Sequence, residues 1–312
     1  MKKRALLQGM AELQSAMEYL MTYGWSILIV AVVLGALAYL GVFNPLYFAP
    51  KANPGSCQVY RPNGPGTAYD INLLGVCNGE IPEFVAAFNG NVYSYITANS
   101  LYLPSGSGAR TITAWIYANE SAYNPSFGND GVNIGIVGWG ETNGEDGVSD
   151  LTINIPNALF FLGCNWHDVS SGMAVSSKKW TFIAASYAAG AESMTLYVNE
   201  KSQSNGFISG SYPLNTAPGS KLYIGTTDGG CVNENLFAGE ISNVQIYNTS
   251  LDSASINSLY MEGIGGAPID IGNLAAWYPL NGDTKDYSGN GQNGAASEMN
   301  FTSSWIGSYT QP

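Results

Sequence analysis

From Tyr19 to Pro50 the chain carries no charged side chain, and SILIVAVVLGALAYLGVF lies at the heart of that run. Such a segment is stable in few settings other than a membrane or a tightly packed bundle. A helix from Ser15 to Phe43 would be about 43 Å long at ~1.5 Å per residue, more than the ~30 Å that a hydrocarbon core requires. Lys2, Lys3 and Arg4 stand ahead of it. The positive-inside rule places that basic end in the cytoplasm and everything after Phe43 outside. A cleaved secretory signal fits less well, because Gly41-Val42-Phe43-Asn44 offers no small-residue cleavage pattern. One acid, Glu18, sits where the apolar run begins. A carboxylate in an apolar bundle is costly unless it is paired. Ser15-x-x-Glu18 also reads as a capping box at a helix start.

The other nine-tenths of the chain has a different character. Only 11% of the 312 residues are charged, with 38 Gly and 20 Tyr, and the net charge is −12. Basic residues are few and scattered, so a nucleic-acid footprint is absent. Asn44 to Gly55 contains Pro45, Pro50 and Pro54, a helix stop and a fairly stiff linker. Two strand-like runs follow, Cys57–Tyr60 and Tyr69–Val76, flanking a Pro/Gly turn with a cysteine at each outer end. The four cysteines, Cys57, Cys77, Cys164 and Cys231, fit disulfides in an oxidising compartment; the alternative is four buried thiols. A Cys57–Cys77 bridge would close the hairpin, adding roughly 3 kcal/mol for a loop of ~20 residues. Cys164 is then left with Cys231. No CxxC pair exists and His167 is the only histidine, which argues against a zinc site.

Beyond Phe88 the chain is a series of short runs rich in β-branched and aromatic residues: Thr111–Tyr117, Trp180–Tyr187, Met194–Asn199, Lys221–Thr226 and Glu240–Tyr247. Loops rich in Gly, Asn and Ser separate them, a pattern that predicts an antiparallel β-sandwich. One helical turn is expected at Leu251, Ile256, Leu259 and Tyr260.

Two resemblances extend this reading. Gln14-Ser15-Ala16-Met17-Glu18-Tyr19 resembles the class III signal of archaeal type IV pilin-like proteins. That likeness implies a cut by a prepilin-type signal peptidase between Leu13 and Gln14, or within a residue or two. Glu18 would become the fifth residue of the mature chain and pair with the new amino terminus of a neighbouring subunit. The second lies in AWIYA near Trp115, KKWTFIAASY, LYVNEK and Phe237–Tyr260, which resemble the concanavalin A-like, laminin-G-like jelly-roll family over most of residues 88–312. Leu274–Ala296 is similar to the stretch that usually opens such a domain, yet here it comes last. Either it starts a second repeat cut short, or the domain is permuted. Too few residues follow Ala296 for another sandwich, so permutation is expected.

The fold class that emerges is mainly β: an N-terminal transmembrane or filament-core α-helix followed by an antiparallel jelly-roll sandwich. Its parts are a leader (1–13), an apolar helix (14–44), a linker with a disulfide-closed hairpin (45–87) and the laminin-G-like sandwich (88–312).

Candidate sites follow from residue chemistry. The family resemblance implies Ca²⁺ near Asp286 and Asn290 in the DYSGN string, although Ser242 stands where the family usually has an aspartate. The acidic loop from Glu141 to Asp146 reads as a solvated loop. Trp139 and Trp166 lie in Gly/Asn-rich contexts and are expected to stack on sugars, whereas Trp115 and Trp180 lie in strands and are expected in the core. Asn119, Asn248 and Asn300 head glycosylation sequons. His167 and Asp168 lack a nucleophile elbow, and no strand carries the alternating carboxylates of a retaining glycosidase, so no enzyme is expected.

The combined expectation is a membrane-inserted precursor that becomes a subunit of an extracellular pilus-like filament. Its partners are copies of itself, the signal peptidase, and glycans or other cell surfaces. The alternatives are a non-polymerising membrane-anchored glycan-binding protein and a surface glycosidase. A peptide map run without reductant is expected to recover Cys57 joined to Cys77 and Cys164 joined to Cys231. A Cys57–Cys164 or Cys57–Cys231 peptide overturns both assignments.

Overall fold

The structure is a computed structural model. It describes residues 23, 25–35, 58–60, 69–71, 82–119, 133–140, 147–154, 158–162, 168–207, 213–218, 221–227, 236–310 and 312. The chain divides into two units, Met1–Lys51 and Ala52–Pro312. In the first, residues 25–35 form helix α1. Its side chains are exposed on every side, with Trp25 at 69%, Leu28 at 56% and Val32 at 63%. Among the described residues no helix is long and apolar enough to cross a membrane. Leu13, Gln14 and Glu18 lie outside the described residues.

The second unit is almost entirely antiparallel β structure. It opens with a hairpin of β1 (Gln58–Tyr60) and β2 (Tyr69–Ile71), where two strand-like runs were expected. Cys57 and Cys77, like Cys164 and Cys231, fall outside the described residues. The chain continues through β3 (Val85–Asn89), β4 (Tyr95–Asn99), β5 (Arg110–Ala118), β6 (Asn133–Gly140), β7 (Val148–Asn154), β8 (Ala158–Leu162) and β9 (Val169–Ala174). Then come β10 (Trp180–Tyr187), β11 (Ser193–Val198), β12 (Lys201–Gly206), β13 (Lys221–Ile224) and β14 (Ala238–Tyr247). Helix α2 (Ser253–Glu262) precedes the short strands β15 (Leu274–Tyr278), β16 (Ala295–Ser297) and β17 (Asn300–Thr302).

Strands β3 to β17 make two sheets. An eight-stranded sheet runs β12-β11-β10-β5-β14-β3-β17, with β15 also pairing β14. A seven-stranded sheet runs β16-β4-β13-β6-β7-β8-β9. The main core lies between them. Ile112, Ile116, Ile183 and Ile241 come to it from the eight-stranded sheet, and Ile96, Trp139, Leu151 and Phe161 from the seven-stranded one.

The chain's last strands complete both sheets. Ala295 of β16 pairs with Thr97 of β4 at one edge, and Asn300 of β17 pairs with Ala87 of β3 at the other. β15 lies along β14 through Gln245↔Trp277. The segment that came last where an opening one was expected is thus built into the sandwich, not left as the start of a second repeat.

A second cluster lies on the far side of the eight-stranded sheet. Trp115, Trp180, Phe182, Leu251, Ile256, Leu259, Trp277 and Trp305 bury one another there. This explains why β5 and β10 are buried at nearly every position and show no inside–outside alternation. Helix α2 supplies part of the cover. Asp252 caps it by accepting from the Ser255 N–H at 2.8 Å, and Gly263 ends it at a φ of 87°, which favours glycine. The C-terminal turn supplies the rest. Trp305 packs edge-on against Trp180 at 5.8 Å, and Tyr309 meets Trp115 at 5.5 Å. The expectation that Trp115 and Trp180 are core residues agrees with their exposures of 2% and 4%.

Trp305→Ala removes a fully buried ring and is expected to cost about 3–5 kcal/mol of unfolding free energy. Urea denaturation followed by fluorescence measures this. A loss under 1 kcal/mol means the C-terminal turn is only loosely applied.

Candidate functional site

Three places expected to carry function have different fates in the structure. The first is Trp139. It lies on β6 opposite Ser149 of β7, on the face turned to the main core, and is 1% exposed. Its Nε1–H donates to the Pro104 carbonyl at 2.9 Å. The Arg110 guanidinium lies 5.9 Å from its ring and 5.6 Å from that of Tyr187. Trp139 is therefore a core residue and not an exposed platform for a sugar. The glycines around it suggested a loop, yet they reflect close packing in a strand. At Gly138, a Cβ would collide with Oδ1 of Asp150 on the neighbouring strand.

Arg110 is itself enclosed. It donates to Ser149, Thr216 and the carbonyls of Gly106 and Gly108. Burial pulls its guanidinium down to about 10. These bonds fix the 104–108 turn to both sheets. Trp166 and His167 lie outside the described residues, as does the acidic loop 141–146, and Asp168 is half-buried.

The second place is the DYSGN string. Asp286 accepts backbone N–H groups from Trp277 (3.1 Å), Ser288 (2.9 Å) and Gln292 (3.0 Å). Asn290 donates from Nδ2 to the carbonyls of Leu274 and Ala275. Tyr278 donates its hydroxyl to the Gln292 carbonyl, and burial raises that phenol above its ordinary range. The donor set does not suit calcium. A hard cation needs convergent oxygens, and here positively polarised N–H groups converge on the carboxylate. Ser242, at the family's aspartate position, is fully buried and donates to the Pro279 carbonyl at 3.2 Å. Among the described residues no group of three His, Cys, Asp or Glu could hold a metal ion. Asp286 and Asn290, expected as ligands, instead tie the loop that follows β15 to β15 itself.

The third place is surface chemistry that the sequence did not reveal. One register row crosses the seven-stranded sheet from Ala295 through Thr97, Tyr223 and Gly138 to Asp150. Trp139 and Ser149 face the core, so this row faces outward. Asp150, Val148 and Thr152 on that face are buried, so it is closed over β7. Over β4 and β13 it is open. Tyr95 and Tyr223 are half-buried there, 6.0 Å apart and inclined at 68°. They are diagonal neighbours on adjacent strands, and single-strand patterns gave no signal for the pair. On the outer face of the other sheet, Glu240 stands between Ala87 and Tyr117, its carboxyl raised by burial. The sequon residues Asn119, Asn248 and Asn300 are all exposed.

The two packed antiparallel sheets describe a jelly-roll-like β-sandwich. Residues 89–257 match the concanavalin A-like lectin/glucanases superfamily, more than half of the chain, and the chain belongs to that family. No curated protein sequence matches it. Among solved structures it is similar to a candidate carbohydrate binding protein from Bacteroides ovatus ATCC 8483, with 17% identity and a TM-score of 0.50 over 72% of this chain and 60% of that one. The chain thus spans 60% of that protein's length. It is also similar to a heptameric SAP-like pentraxin from Limulus polyphemus (12% identity, TM-score 0.45, 72% of this chain and 95% of that one). A third is the CBM40 of a Ruminococcus gnavus IT-sialidase bound to α2,3 sialyllactose (14%, 0.41, 56% and 95%).

Asp286→Ala leaves three backbone donors without an acceptor and is expected to lower stability by about 2 kcal/mol. Millimolar calcium is expected to leave the melting temperature of the unaltered protein unchanged. A calcium-dependent rise that Asp286→Ala abolishes would restore the loop as a metal site.

Proposed function

We propose that this chain is a surface-exposed carbohydrate-recognition protein that assembles through its N-terminal helix into a type IV pilus-like filament. The observation that carries the reading is the joining of two parts with opposite solvent needs. The sandwich belongs to a family of lectins and glucanases, and the Bacteroides ovatus relative in fold is a candidate carbohydrate binding protein. Helix α1 is apolar all round, which suits burial and not water. The Gln14–Tyr19 string supports filament assembly: it resembles a cut site that leaves such a helix at the start of the mature protein. Lectin is favoured over glucanase by the sequence, in which no strand carries the alternating carboxylates of a retaining glycosidase. A glycosidase needs two carboxylates in one cleft, about 5–10 Å apart. Asp150 and Glu240 project from the outer faces of different sheets, so they do not form that pair.

The second reading keeps the glycan-binding head and replaces the filament with a single membrane anchor. An all-round apolar helix fits lipid as well as it fits a bundle, and the site of processing separates the two. In the filament reading the mature chain starts at Gln14 or within a residue or two of it; intact Met1 in surface-exposed protein favours the anchor.

Glu18→Gln tests the assembly contact. Paired with a neighbour's amino terminus, Glu18 holds a buried charge pair, and breaking one side costs on the order of 3–5 kcal/mol at each subunit. The variant is then expected to be inserted and processed normally yet to form no filaments in electron micrographs. If Glu18 only caps a helix, Gln serves as well, and normal filaments from the variant overturn the assembly role.

A further inference from the structure

We infer that the open strip of the seven-stranded sheet along β4 and β13 binds an extended, uncharged glycan chain lying parallel to β4. This rests on the reading of the sandwich as a glycan-recognition head, and it gives that head a place and a ligand class.

The strip has a floor and two sides. β4 turns Tyr95, Thr97 and Asn99 outward, because Ile96 and Ala98 between them lie in the main core. Tyr93 and Leu101, in the turns that flank β4, are 58% and 75% exposed. Along the strip β4 thus presents a ring, a hydroxyl and an amide in turn. On one side, β13 contributes Tyr223, inclined steeply to Tyr95, so a sugar resting on one ring meets the edge of the other. On the other side, β16 contributes only Ala295 and Ser297, opposite Thr97 and Tyr95. These small side chains leave the strip open toward the sheet edge. From Tyr95 to Asn99 the strand rises about 14 Å, longer than one sugar ring. A flat strip of that length suits consecutive residues of a chain better than a single terminal sugar.

Charge decides the ligand class. Acidic sugars are held by guanidinium forks, which match a carboxylate with two donors. Among the described residues Arg110 is the only arginine, and it is sealed in the core. On β4, β13 and β16 the one cation is Lys221. The chain as a whole carries −12, so an acidic polysaccharide meets repulsion with little to offset it. Hydroxyl, amide and aromatic groups remain, and these recognise uncharged sugars.

The test is calorimetry on the full chain in detergent micelles. The probes are uncharged glucan, mannan and galactan oligosaccharides of two to six units, with sialyllactose as the acidic comparison. At least one uncharged series is expected to bind, tightening with length. Tyr223→Ala is expected to weaken it about tenfold, and Tyr223→Phe to retain it. Tyr223 is half-buried, so Ala295→Arg is the second variant. It changes an exposed edge position and raises the low side of the strip, and a similar loss is expected at an unchanged melting temperature. If the unaltered protein binds no probe, the glycan-head reading falls and this proposal with it. If it binds and both Tyr223→Ala and Ala295→Arg bind equally well, the head reading stands and the strip is the wrong place. A disaccharide as tight as a hexasaccharide, or preference for sialyllactose, overturns the ligand class.

Discussion

The aromatic cover on the eight-stranded sheet governs the rest of the sandwich. Two packed sheets normally bury two inner faces and leave two outer ones to solvent. Here Trp115, Trp180, Trp277 and Trp305, with α2 and Tyr309, bury one outer face as well. Each large ring removed from water contributes on the order of 2–3 kcal/mol, so this third layer is a substantial part of the fold's stability. It also has a functional consequence. With that face occupied, the seven-stranded sheet presents the remaining broad outer face, closed over β7 and open over β4 and β13.

The cover needs polar groups to hold its register, and the fold satisfies most of them internally. β14 breaks its pairing with β5 between Ser242 and Gln245, where Asn243 adopts a φ of 51°. The irregularity puts Asn243 where its Oδ1 accepts from Trp277 Nε1 at 2.8 Å and its Nδ2 donates to the Gly266 carbonyl. Gln245 donates to the same carbonyl and accepts from the Tyr247 hydroxyl. One bent strand thus anchors both the β15 tryptophan and the loop after α2. Such a buried network fixes one arrangement among several that hydrophobic contact alone would allow. The Trp115 indole N–H, like Oε2 of Glu240 on the same face, is buried with no hydrogen-bond partner. It illustrates that this layer is held by contact area more than by directed bonds.

What could be read from the sequence followed local signals. The runs TITAWIY and WTFIAASY gave β5 and β10 because their β-branched and aromatic residues suit a pleated strand whichever face is buried. The α2 residues Ile256 and Leu259 are buried as their helical spacing predicts. The misreadings came where two distant segments decide a residue's surroundings. Trp139 looked like a loop residue because of its glycines, but Arg110 and Asp150 from other strands and Pro104 from a turn explain them. Asp286 looked like a cation ligand because its chemistry permits that, and only the turn shows three backbone N–H groups brought to it. The Tyr95–Tyr223 pair was invisible for the same reason: the two lie on strands far apart in sequence, and only the pairing of β4 with β13 brings them together.

The two units of the chain place opposite demands on their surroundings, and this shapes any account of what the protein is for. A sandwich that buries 18 polar or charged residues among its described ones satisfies most of those groups by its own backbone and side chains. Helix α1 differs. Residues three and four apart on a helix share a face, and Ile27, Leu28, Ile29, Val30, Val32, Val33 and Leu34 together cover every face. A helix that is apolar all round suits lipid or a bundle of neighbouring helices, the two settings that the proposed function distinguishes. In lipid the helix fixes one head at the membrane, and each head binds alone. In a bundle of like helices the same burial arrays many heads along one axis. Weak binding by each shallow strip would then gain strength from multiplicity, because successive contacts form at high effective concentration. On the proposed reading, a flat, open strip such as that on β4 and β13 would gain more from such an array than from a single copy.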